Sequence, residues 1–197
     1  MDAEFERLLR RVRACRICEA QLPLGPRPVV QMAPQARIMI IGQAPGLRVH
    51  ETGIPWNDPS GDTLRRWLQL SREQFYDPDI IAIMPMGFCY PGRGKSGDLP
   101  PRPECAPAWH EPLLAALPHI RLTLLIGQYA QRYYLGRQYR TLTDTVRHWR
   151  DFAPDRLPLP HPSPRNRRWL SQNPWFEQEE LPALRARVHE VLGNTQK

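Results

Sequence analysis

The chain has 197 residues, 41% of them hydrophobic, and a formal net charge of +7 carried mostly by arginine. That length and composition suit one domain with a real core, expected over residues 1–197, and exclude a disordered chain. The longest apolar runs, Ile80 to Met84 and Leu122 to Ile126, are too short to cross a bilayer, and the first residues carry no apolar leader, so a cytoplasmic monomer is expected.

In chain order, Phe5, Leu8, Leu9 and Val12 recur at helical spacing. A proline-rich segment, LPLGPRPVVQMAP, leads to an apolar strand, RIMII, ending at Ile41. The stretch GQAPGLRVHETGIPWNDPSG follows as a long, stiff loop, after which Ser60 can cap a helix whose inner face carries Leu64, Trp67 and Leu68. DIIAIMP is a second buried strand, CAPAWHEPLLAAL a helix, RLTLLIG a third strand and QYAQRYYL another helix. RLPLPHPSP makes a short fourth strand and a loop, and EQEELPALRARVHEVL is the last helix.

Strands apolar throughout, alternating with helices, predict an α/β fold. Its central, mostly parallel four-stranded sheet would carry helices on both faces. In such sheets ligands bind beyond the carboxyl ends of the strands. The loops after Ile41 and Leu159 both lie there. An arginine-rich surface favours a polyanionic partner, since the guanidinium fork donates two hydrogen bonds to one phosphate.

The four cysteines are Cys15, Cys18, Cys89 and Cys105. The first two form a C-x2-C pair and the second two bracket a proline-rich loop. In a reducing compartment such a pair points to metal rather than to disulfides. Four thiolates suit either zinc or a four-iron cluster, and spacing does not separate them. The bland alternative is four unrelated buried thiols.

GQAPG after one strand, HPSPRN after a late strand and the four cysteines in this order resemble the uracil-DNA glycosylase superfamily. More narrowly, they resemble its iron–sulfur branches, families 4 and 5. The resemblance runs from about Cys15 to Leu192. It implies a DNA-repair hydrolase that flips a deaminated base, uracil and others, out of damaged DNA and cleaves its N-glycosidic bond. It also implies a [4Fe-4S] cluster on Cys15, Cys18, Cys89 and Cys105.

Carried over residue by residue, the resemblance implies that Trp56 stacks on the base and His161 hydrogen-bonds the base edge. Asp58 would hold the attacking water, with His50 and Glu51 in reserve. Gln43 stands where family 4 has a glutamate and can orient water but not take its proton. Ala44 matches both branches. Pro85 stands where many relatives place a base-reading asparagine, which implies weaker discrimination between bases. Gly42 and Gly46 would let the backbone approach the sugar, and Ser163 would shape the second loop. Arg165 would fill the vacated stack, and Arg167 and Arg168 would contact phosphates. Gln43, Ala44 and Pro85 keep open a nucleic-acid-binding protein that has lost the reaction. A zinc-stabilised enzyme acting on a free nucleoside or nucleotide is a further alternative.

Overall fold

A computed structural model describes residues 3–193. The main sheet is built from β1 (Ile38–Ile41), β2 (Ile81–Ile83), β5 (Leu122–Ile126) and β6 (Arg156–Leu159), in the order β2-β1-β5-β6. Every pairing is parallel, so β1 and β5 are the inner strands. Strands β3 (Arg93–Gly94) and β4 (Gly97–Asp98) form a separate antiparallel hairpin inside the loop that follows β2.

Helices cover both faces of the sheet. They are α1 (Ala3–Arg13), α2 (Leu47–Thr52), α3 (Pro59–Leu68), α4 (Arg72–Phe75), α5 (Cys105–Ala115), α6 (Gln128–Leu135), α7 (Leu142–Arg147), α8 (Arg167–Gln172) and α9 (Leu181–Leu192). The pleat assigns alternate strand residues to opposite faces. Ile38 and Ile40 pack with Leu64 and Leu68 of α3 and Leu184 and Val188 of α9. Met39 and Ile41 pack with Phe5, Leu9 and Val12 of α1 and Leu113 of α5. Both faces of β1 are thus buried, which is why its sequence lacks polar alternation.

Three local expectations change. The helix after the first loop is capped by Asp58, not Ser60: Asp58 Oδ1 accepts from the Gly61 amide at 2.8 Å and Pro59 opens the helix. The first loop is not irregular throughout, because residues 47–52 form α2, closed by left-handed Gly53. The last helical segment is also divided. A π-turn over Phe176–Glu180 precedes α9. Among the described residues no helix is long and apolar enough to cross a membrane.

Candidate active site

The carboxyl ends of β1 and β6 deliver their loops to one cavity. It encloses about 450 Å3 including its open mouth, and its lining includes Gly42, Gln43, Ala44, Trp56, Asp58, Pro85 and His161. Residues about a hundred positions apart therefore share one pocket. The Trp56 and His161 rings are neighbours in its wall, 5.7 Å between centroids and tilted by 34°.

Trp56 is held in an unusual state. Its φ is +57°, in the left-handed region that a bulky residue adopts only under constraint. The constraint is visible below it. Buried Arg65 donates to the Trp56 carbonyl at 3.3 Å and to Tyr76 Oη at 3.0 Å, while Tyr76 donates to the Pro55 carbonyl at 2.8 Å. Gly61 is required here, since a Cβ would lie 1.7 Å from the Trp56 carbonyl oxygen. At Gly42 the space of the missing side chain is taken by the Trp56 ring, 2.9 Å from a notional Cβ, so the glycine admits the tryptophan. Arg65 and Tyr76 went unrecognised in the sequence, where the one visible signal was an arginine beside the apolar Leu64 of α3.

His161 is shifted down by burial, its largest influence, while the Asp58 charge opposes that shift. At neutral pH the ring is neutral and keeps one N–H to donate. Asp58 lines the same cavity while capping α3, and no described residue hydrogen-bonds its second oxygen. The structural role and the site position coincide in this side chain. Gln43 accepts from the Gly87 amide through its carbonyl, at 3.0 Å, and no described residue hydrogen-bonds its side-chain amide. His50 and Glu51, on α2, line neither this cavity nor the groove beside it.

Pro85 forms the inner wall, and its carbonyl accepts from His110 Nε2 at 3.0 Å. A carbonyl can only accept, so Nε2 carries the proton and Nδ1 accepts from Tyr134 Oη at 2.5 Å. Burial lowers the His110 pKa to about 4, keeping this strut neutral.

One groove adjoins the cavity and a second lies on the far side of the Pro162–Arg167 turn. The first, about 830 Å3, shares Ala44, Gly46, Asp58 and His161 with the cavity and adds Ser163 and Arg165. The other, about 1180 Å3, runs between α3 and the Pro162–Arg167 turn and carries Arg66, Arg167 and Arg185 beside Asp62 and Glu177. Ser163 Oγ accepts from the Arg165 amide at 3.2 Å, which stiffens that turn. Arg165, Arg167 and Arg168 are all exposed, but Arg168 lines neither groove.

The four cysteines, all free, ring a second, apolar cavity of about 380 Å3 walled by Leu22, Phe88 and Trp109. Trp109 Nε1 donates to Cys15 Sγ at 3.3 Å and the Phe88 amide to Cys105 Sγ at 3.4 Å. Burial pushes the Cys89 thiol up to about 11 and Cys105 to about 12, with neighbouring thiols adding to the rise. Among the described residues no three His, Cys, Asp or Glu side chains close around a single metal ion. The four cysteines share the lining of that one apolar cavity.

The chain matches the family model of the uracil DNA glycosylase superfamily over residues 29–185. It belongs to that superfamily, and its parallel sheet with helices on both faces agrees with that fold.

Proposed function

We propose that this protein is a DNA glycosylase that removes uracil, and other deaminated bases, from DNA. The observation that carries the reading is the meeting of Trp56, Asp58 and His161 around one cavity beyond the strand ends. A flipped base would lie against the Trp56 ring. The neutral His161 N–H would donate to the base edge, where negative charge develops as the bond to the sugar breaks. The unoccupied Asp58 oxygen and the Gln43 amide would orient water towards the anomeric carbon. Pro85 offers no side-chain donor or acceptor, which supports a tolerant choice of base.

The same reading assigns the protein to the iron–sulfur branches. Cys15, Cys18, Cys89 and Cys105 would hold a [4Fe-4S] cluster whose bonds tie α1 to the loop between β2 and α5.

The test is an oligonucleotide panel carrying uracil, hypoxanthine, xanthine or an unmodified base, treated with alkali after incubation. Wild-type protein should yield strand breaks at uracil and at one or more of the other deaminated bases. His161→Ala should lose most of that activity while still binding DNA. Binding to every oligonucleotide without any base release would favour the non-catalytic reading.

A further inference from the structure

The groove beside the base cavity contains a carboxylate that the functional reading leaves unused. Asp98 ends the small hairpin, opposite Arg93 in the β3–β4 register. The hairpin lies between Cys89 and Cys105 in sequence, yet it reaches the catalytic side of the molecule. Arg93, Gly97, Asp98 and Arg165 line one groove with Asp58 and His161. Asp98 Oδ2 would lie 3.5 Å from a Cβ placed on Gly46, and Arg165 would lie 3.2 Å from one placed on Gly97.

The two cavities share Ala44, Gly46, Asp58 and His161, so these residues form a neck. If a base occupies the inner cavity, covalent geometry puts its sugar at that neck. The flanking phosphates then fall in the outer groove, where Arg93 and Arg165 stand. Asp98 is the carboxylate on the outer side of the neck, and Asp58 belongs to the inner cavity as well. Asp98 is not consumed by a structural bond: among the described residues it makes neither a hydrogen bond nor an ion pair. Partial burial raises its pKa, and the charges of Arg165 and Arg93 oppose that rise.

We propose that Asp98 is a second catalytic carboxylate, facing the sugar of the flipped nucleotide and stabilising the positive charge that develops there. This inference rests on the glycosylase reading above. As the C1′–N bond breaks, its electron pair leaves with the base and the sugar becomes oxocarbenium-like. Water then bonds to C1′ and releases a proton to solvent, and the base anion takes a proton from solvent. Asp98 exchanges no atom in this sequence. It supplies a fixed negative charge beside the cationic sugar, the electrostatic counterpart of His161 at the anionic base.

The experiment compares binding to duplexes holding two abasic-site analogues, a cationic pyrrolidine and a neutral tetrahydrofuran. Wild-type protein should prefer the cationic analogue, by roughly tenfold or more for one preorganised charge. Asp98→Asn, which keeps shape at an exposed position, should lose most of that preference while binding tetrahydrofuran at least as well. It should also slow single-turnover base release by a comparable factor. An Asp98→Asn variant that keeps both the preference and the rate overturns the proposal, as does a wild type without preference. Failure of the glycosylase reading is distinct, because it shows as absence of base release by the wild-type protein itself.

Discussion

At the scale of single residues, Asp58 has two duties that separate by substitution. Asparagine is as good an N-cap as aspartate but carries no charge. Asp58→Asn should therefore retain the thermal midpoint and lower the single-turnover rate about 100-fold or more, as expected for a lost preorganised group. Asp58→Ala should lower the rate similarly and also lose about 1 kcal/mol of stability with the cap. Full activity in Asp58→Asn would remove the carboxylate from the mechanism. Glu180 shows the opposite situation. It is fully buried at the end of the π-turn, and among the described residues neither carboxylate oxygen finds a partner. Burial raises its pKa well above the ordinary 4.5, and the Arg150 charge opposes this only in part. Between the unfolded and folded pKa values the folded chain holds a proton that the unfolded chain has lost. Stability therefore falls as pH rises through that window. Glu180→Met should stabilise the fold by roughly 1–3 kcal/mol at neutral pH, with the gain shrinking towards pH 4.5, as thermal melts at several pH values would show.

At the scale of elements, the segment from Pro85 to Cys105 links two sites. Pro85 walls the base cavity, Phe88 stacks on His110 at 5.7 Å, and Cys89 and Cys105 face the thiol-lined cavity. α5 grips both ends, with Cys105 at its start and His110 in its second turn. A metal centre on the cysteines would thus position the hairpin as well as α1. Cys89→Ser or Cys105→Ser should lower iron content, reduce the thermal midpoint and expose the 90–104 loop to protease. Measured iron unchanged in both variants would dismiss these cysteines as ligands, and zinc in place of iron would keep the site but reject the cluster.

At the scale of the whole molecule, the positive charge is directed by the fold. The Pro162–Arg167 turn separates two grooves, with Arg165 in one and Arg167 and Arg66 in the other. A DNA strand lying across this face would exchange its counterions for guanidinium groups. Arg167→Ala should weaken binding about equally for all DNA sequences and reduce the salt slope by roughly one unit. Titrations at several salt concentrations would measure it, and an unchanged slope would take Arg167 out of the footprint. Arg185 is a poorer candidate, because its Nε already donates to the Trp67 carbonyl at 3.0 Å.

The sequence by itself determined the parallel sheet, because unbroken apolar runs such as Ile38–Ile41 have only one way to be buried on both faces. It also determined α6 over Gln128–Leu135, as well as the two loops that meet at the cavity. Short elements were less legible. A six-residue helix such as α2 carries too few residues for a periodic signal, and its closing Gly53 is one of several glycines in that loop. Only the tertiary structure decided which side chains share a space. It turned Trp56 to positive φ through Arg65, Tyr76 and Gly61, gave Gly42 to the indole and made Asp58 both cap and cavity wall. It also carried Asp98 from the cysteine-bracketed loop to the neck beside Gly46. The physical reason is range. Helix and strand patterns are set by neighbours along the chain, whereas a site is set by contacts between segments far apart in sequence, which no local spacing records.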